Sequence, residues 1–96
     1  MRKETRKIMQ AFLSGEPATA SRTKTDGETV WLHGNRIAWR KNGRVYVTLA
    51  GWGTVTTRER LNGLVALMGK PERFTQKNHA QHYGDAEIST ADVLVL

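Results

Sequence analysis

Apolar positions follow two different periods along the chain. From Arg2 to Ser14 they fall at Ile8, Met9, Phe12 and Leu13, a stripe at helical spacing among Arg and Lys, and Gly15 and Pro17 end the run. From Ala18 to Leu49 short strand-like runs are separated by Asp26-Gly27, Gly34-Asn35 and Asn42-Gly43. Such pairs suit two-residue hairpin loops, where positive φ is cheap for Gly and tolerated by Asn or Asp. The pattern predicts four antiparallel strands at Ala20–Thr25, Glu28–His33, Arg36–Lys41 and Arg44–Ala50. Leu61, Leu64, Val65 and Met68 return to helical spacing. Thr56 and Glu59 stand in the positions of a capping box before them, and Gly69 and Pro71 close the helix. Gly51 and Gly53 flank Trp52 where the chain turns from strand to helix, and Trp52 is expected to pack under that corner. Arg73–Gln81 reads as a strand, Gly84-Asp85 as a turn and Val93–Leu96 as a terminal strand. The fold class is α+β: an antiparallel β-meander with one packed α-helix, an N-terminal helix and one or two short C-terminal strands. It forms one small domain over 1–96, in which the 1–17 helix could lie at the periphery of an 18–96 body.

Tight loops fix register, and register assigns side chains to faces. Pairing His33 with Arg36 places Val30, Leu32, Ile37 and Trp39 on one side. Pairing Lys41 with Arg44, and Thr25 with Glu28, adds Tyr46, Thr48 and Thr23. That side is largely neutral and is the expected core. The other side receives Arg22, Lys24, Trp31, His33, Arg36 and Arg40, together with Ala38, Val45, Val47 and Leu49. Two readings of this second side stand together. Cations interleaved with an aromatic ring suit nucleic acid, since cations neutralise phosphates and a base stacked on Trp31 is typically worth ~1–3 kcal/mol. Alternatively the helix covers Val45, Val47 and Leu49, and the cations rim a second apolar layer. A single bulge would exchange the two faces.

Charge gives the first reading its weight. Fifteen Lys and Arg oppose nine Asp and Glu, for a net charge of +6. All fifteen basic residues lie in Met1–Lys77, whereas Asn78–Leu96 contains only Asp85, Glu87 and Asp92 as charged groups. A basic body attracts polyanions at long range, although charge of this size also serves plain solubility. Arg58 and Arg60 fall in the first turn of the capped helix, where free amides, Thr56 and Thr57 complete a candidate phosphate site. Read singly, the same residues are a solvated helix face and its caps. The candidate nucleic-acid contacts are therefore Arg22, Lys24, Trp31, Arg36, Arg40, Arg58 and Arg60.

Other chemistry finds little support. The chain has no Cys, so it carries no disulfide framework and no thiolate, which suits a reducing compartment. No apolar run approaches the ~18 residues of a bilayer span, and the charged N-terminus lacks the apolar core of a secretory signal. His79 and His82 alternate across a strand without a Cys or acidic cluster beside them, so they read as polar surface histidines. Neither a nucleophile elbow, a P-loop nor a dinucleotide fingerprint occurs, and the carboxylates are scattered. The expectation is a binding protein and not an enzyme, with no cofactor and no metal.

The segments "TKTDGETVWLHGNRIAW", "VYVTLAGWGTVTTRERLNGL" and, more faintly, "FTQKN" run in order from Thr23 to Asn78. In that order they resemble a family of small tailed-bacteriophage proteins. The set TDG, LHGN-x-IA, GW-x-T-x-TTRERLN and QK is specific together, although no piece is diagnostic alone. The chain departs from the pattern after QK, with His79, Ala80, Gln81 and His82 where the family carries more aromatics. The resemblance implies an accessory protein made in the cytoplasm of a bacterial host, and it brings no catalytic residues. It also implies a rival to nucleic-acid binding, namely an inhibitor of a host enzyme or defence complex, of anti-restriction or anti-CRISPR type. Ile8, Met9, Phe12 and Leu13, or the Trp52 corner, would then supply the apolar anchor. The expected partners are nucleic acid or a host nucleic-acid-processing protein, with no membrane, and self-association through a sheet edge is open.

Overall fold

The computed structural model describes residues 1–96 and contains two helices and two antiparallel sheets. In chain order the elements are α1 (Lys3–Ser14), β1 (Ala18–Ala20), β2 (Thr23–Thr25), β3 (Thr29–Leu32), β4 (Asn35–Lys41) and β5 (Arg44–Thr48). These are followed by α2 (Val55–Leu67), β6 (Phe74–Lys77), β7 (Ala80–Tyr83), β8 (Ala86–Ile88) and β9 (Val93–Val95). The first sheet has the order β1-β2-β3-β4-β5-β9 and the second β6-β7-β8. The predicted class is right, but the meander is longer than four strands. Neither helix is long and apolar enough to cross a membrane.

The turns explain the extra strands. Ser21 and Arg22 both adopt positive φ (46° and 61°), which splits the expected Ala20–Thr25 strand into the β1–β2 hairpin. Asn78 and His79 do the same (52° and 66°) and fold the expected Arg73–Gln81 strand into β6 and β7. Neither pair contains Gly, so neither carries the usual hairpin signal. Asn42-Gly43 gives the predicted pairing of Lys41 with Arg44. Between β3 and β4 the turn residues are His33 and Gly34, one position earlier than expected, and Leu32 pairs with Asn35. Asp26 opens a three-residue loop, Asp26 to Glu28, between β2 and β3, and Thr25 pairs with Val30 where the two-residue turn would have paired it with Glu28. The Asp26 carboxylate accepts from the Glu28 and Thr29 amides, at 2.9 Å each, and these bonds hold its pKa below the usual value.

A bulge then decides which residues are inside. Trp31 pairs with Arg36 but Val30 pairs with Ala38, so Ile37 is the extra residue on β4. Before the bulge Ile37 faces the helices, and after it Ala38 and Arg40 do, while Trp39 turns outward. Val45 and Val47 follow inward through their pairing with Arg40 and Ala38, and Tyr46 follows Trp39. The expected faces are thus corrected beyond Ile37. Trp39, Tyr46 and Thr48 leave the core side, and Ala38, Val45, Val47 and Leu49 enter it. Ile8, Met9 and Phe12 of α1, with Leu61, Leu64 and Val65 of α2, pack on this inner side against Val30, Leu32, Ile37 and Val47. The N-terminal helix is therefore part of the core, with three apolar side chains and Thr5 fully buried.

Helix α2 starts two residues earlier than its capping-box pattern implies. Thr54 is the cap, its hydroxyl oxygen accepting from the Thr57 amide at 3.2 Å. Glu59 does not reach back to a cap amide. It turns instead toward α1, where its carboxylate accepts from the Thr5 hydroxyl and the Arg2 amide, and from its neighbour Arg60. The Arg60 side chain is 2% exposed and donates from Nε to Thr23 Oγ1 (3.0 Å) and from Nη1 to Thr5 Oγ1 (2.7 Å). One guanidinium therefore joins α2, α1 and β2. The helices can approach this closely because residue 63 is Gly, and a Cβ there would collide with the Thr5 methyl. The C-terminal part is held by Asn62, whose side chain donates to the Phe74 carbonyl (2.9 Å) and accepts from the Phe74 amide (2.6 Å). Asn62 thus mimics a neighbouring strand for β6.

Two predictions follow from this junction. Gly63→Ala should destabilise the fold by about 1–3 kcal/mol through overpacking. Adding Thr5→Ser, which removes the offending methyl but keeps the hydroxyl, should recover most of the loss in urea unfolding. Burial alone would raise the Glu59 pKa, but the bonds from Thr5, Arg2 and Arg60 outweigh it and lower the value. Its stabilisation is therefore complete above the ordinary glutamate range and is lost as pH falls through the depressed folded-state pKa. Glu59→Gln should be less stable than the native protein at neutral pH, and the two stability curves should converge in acid.

Candidate nucleic-acid interface

Both helices lie on the inner side of the six-stranded sheet, which leaves its outer side uncovered. Cross-strand pairing builds two rows there. Lys24, Trp31 and Arg36 pair in register across β2, β3 and β4, and Trp39, Tyr46 and Val95 do so across β4, β5 and β9. The bulge sets Arg36 beside Trp39, with the guanidinium carbon 3.7 Å from the ring centroid. Trp39 and Tyr46 stack with centroids 5.8 Å apart and planes within 10°. Lys24 Nζ lies 5.4 Å from the Trp31 ring. Lys41 and Arg44, paired at the exposed hairpin end, add two more cations to this side. A shallow cleft of about 490 Å³ runs between Arg36, Trp39, Lys41 and Tyr46.

The charge on this face is not neutralised. The Arg60–Glu59 contact is the one ion pair in the structure, and it belongs to the inner side. None of the outward positions of β2, β3, β4, β5 and β9 is Asp or Glu. The Arg36 guanidinium, held on the Trp39 ring, also loses little side-chain freedom when it meets an anion, such a cation–π contact being worth roughly 0.5–1 kcal/mol at an exposed site.

The structure divides the seven residues expected to contact nucleic acid. Lys24, Trp31 and Arg36 do come together on the open face. Arg22 is exposed in the β1–β2 turn at one end of it, where its carbonyl accepts from the His33 amide at 2.9 Å. Arg40 is on the inner side, because it follows the bulge. It donates to the carbonyls of Gly27 and Phe12, both at 2.8 Å, and its guanidinium carbon lies 4.7 Å from the Phe12 ring centroid. It therefore closes the carboxyl end of α1, where a cation is favoured by the helix dipole. Arg58 is held by the Gly53 carbonyl (2.8 Å) and the side-chain oxygens of Gln76 and Gln81 (3.0 and 3.1 Å). With Arg60 buried, the candidate phosphate site at the start of α2 loses both of its arginines to internal contacts, and the Thr57 hydroxyl is paired with Thr54 at 2.8 Å.

Four members of the open face were missed: Trp39, Tyr46, Lys41 and Arg44. The alternation of Arg44–Thr48 around a correct Asn42-Gly43 turn holds Lys41, Arg44, Tyr46 and Trp39 on one side, so only the bulge hid their partnership with Arg36. The alternative apolar anchor is also divided. Ile8, Met9 and Phe12 are core residues, so they offer no surface in the folded protein, and Leu13 is at the surface. Trp52 does not pack under its corner but stands 57% exposed, beside a cavity of about 410 Å³ whose floor is Leu32, Ile37 and Leu49. The turn at that corner is made by Ala50 and Gly51, both at positive φ, with the Trp52 amide bonded to the Leu49 carbonyl (2.9 Å). Gly53 answers a different need, since a Cβ there would lie 2.7 Å from the Gln81 side chain that helps hold Arg58.

Compared with known proteins, the chain is similar to one family. The family model described as Kyanoviridae Gp96 protein matches residues 1–94. No curated protein and no solved structure matches the chain.

Proposed function

The chain belongs to the Kyanoviridae Gp96 protein family of phage proteins, and from that premise we propose that it is an accessory protein that binds nucleic acid stoichiometrically through the outer sheet face. One observation carries this reading: Lys24, Arg36, Lys41 and Arg44 share an uncovered face that has no carboxylate and no ion pair. Each phosphate met by such a cation releases condensed counterions, so affinity depends on salt in proportion to the number of contacts. The start of α2 is not part of the proposal, because its arginines are occupied.

A second reading, inhibition of a host enzyme or defence complex by direct protein contact, draws support from Trp52, an exposed aromatic beside an apolar cavity. Large aromatic residues of this kind often anchor protein interfaces. The two readings use opposite sides of the molecule, so substitutions separate them.

Fluorescence anisotropy with labelled oligonucleotides at several salt concentrations tests the first reading. A plot of log affinity against log salt should have a slope of about −2.8 with a single strand or about −3.6 with a duplex for four phosphate contacts. Lys41→Ala with Arg44→Ala should reduce its magnitude by about 1.5. Arg73→Ala should leave it unchanged, since Arg73 binds the backbone carbonyls of Lys70 and Glu72. Salt-independent binding, or none, would remove the proposal. For the second reading, Trp52→Ala should abolish a nuclease-resistant protein association while sparing oligonucleotide affinity.

A further inference from the structure

Resting on the reading just given, we propose that the ligand of the outer face is a single strand, whose unpaired bases stack on the row formed by Trp31, Arg36, Trp39 and Tyr46. The cations alone would accept any polyanion, and the rings and the shape of the face narrow the choice.

Duplex DNA is read when a helix or a two-stranded ribbon enters a groove. Here α1 and α2 both pack on the opposite side of the sheet, so no helix projects from the outer face. A duplex laid on it would bring phosphates to Lys24, Arg36, Lys41 and Arg44 but would keep its base faces hidden in its own stack. Three aromatic side chains would then press against a hydrated backbone and contribute nothing. A single strand meets the face differently, because its bases turn their planes to aromatic rings while its phosphates reach the flanking cations.

The row is already arranged for planar groups. The Arg36 guanidinium, itself flat, lies 3.7 Å from the centroid of the Trp39 ring, and the Tyr46 ring lies within 10° of parallel to that ring with centroids 5.8 Å apart. A base is another flat group of comparable width. It can lie on the outer plane of the Arg36–Trp39 stack or take the place of the guanidinium, leaving Arg36 to meet a phosphate. Lys24, 5.4 Å from the Trp31 ring, leaves that ring's face more open to a second base. Arg22 at one end and Lys41 with Arg44 at the other bracket the path of the strand.

The test compares three probes of about a dozen units by anisotropy at one moderate salt concentration. These are oligothymidine, a duplex of the same length, and an abasic deoxyribose-phosphate strand that keeps the charge but lacks bases. The expected order is oligothymidine tightest, with the duplex and the abasic strand each roughly tenfold or more weaker. Oligothymidine should also quench the tryptophan emission of a Trp52→Phe variant, in which only Trp31 and Trp39 emit. Trp39→Leu, which keeps an apolar side chain on the strand, should lose roughly tenfold for oligothymidine and little for the abasic strand. Equal affinity for oligothymidine and the abasic strand, or duplex binding as tight as single-strand binding, overturns this inference while nucleic-acid binding stands. Failure of all three probes to bind overturns the nucleic-acid reading itself.

Discussion

Burying a guanidinium is unfavourable unless its charge and its donors are both answered, and at Arg60 the answers come from separate elements. Thr23 belongs to the sheet, Thr5 to the first helix and Glu59 to the second, and all three converge on one side chain. Removing one partner from such a set typically costs about 3–5 kcal/mol, because the remaining groups stay buried without compensation. A chain of this length has little apolar surface to spare, so a loss of that size is a large part of a typical domain's stability. The junction also fixes orientation. It holds α1 against α2 at the Thr5–Gly63 contact and both against β2, which commits the helices to one side of the sheet and leaves the other side free.

The second commitment is the extra residue at Ile37. Without it Trp39 would be directed into the core and Val47 toward solvent. With it the inner side is apolar throughout its centre, and the outer side gathers three aromatic rings. The cation–aromatic row and the hydrophobic core are therefore products of the same backbone irregularity. Bulges commonly redirect side chains in this way. Here the redirected side chain is the ring on which Arg36 lies.

Much of the fold was legible because local chemistry dictated it. The α1 stripe at Ile8, Met9 and Phe12, the Asn42-Gly43 hairpin and the Leu61–Leu64–Val65 stripe are each set by spacing or by a turn residue, and each stands as expected. What failed to show was decided by distant partners. Ser21-Arg22 and Asn78-His79 adopt conformations that Gly or Asn-Gly usually signal; Asn78 tolerates positive φ, but neither pair supplies the Gly. Thr56 and Glu59 satisfy the spacing of a capping box, yet Glu59 is drawn away by Thr5 and Arg2, more than fifty positions earlier. The pairing of β5 with β9 joins segments separated by the whole of α2 and the second sheet. In the candidate site, the cationic character of one sheet face was visible, but its membership was not. Membership turned on the bulge, and no composition or spacing marks Ile37 as its position.

Arginine has two roles in this protein, and the local supply of acceptors separates them. Arg40, Arg58 and Arg60 each lie among carbonyl, amide or carboxylate oxygens and spend their donors inside the fold. Arg36 and Arg44 emerge on strands whose neighbours are rings, aliphatic groups and other cations, so no protein acceptor is at hand for them. Sequence alone treats all five as equivalent positive charges. Geometry does not, and a count of basic residues therefore overstates the charge available to a ligand. The relevant quantity is the number of cations left without an acceptor on one continuous face. On the outer sheet that number is small but undiluted by carboxylates, and the rings between the cations supply the contact that charge alone cannot: discrimination between a bare phosphate backbone and one that carries bases.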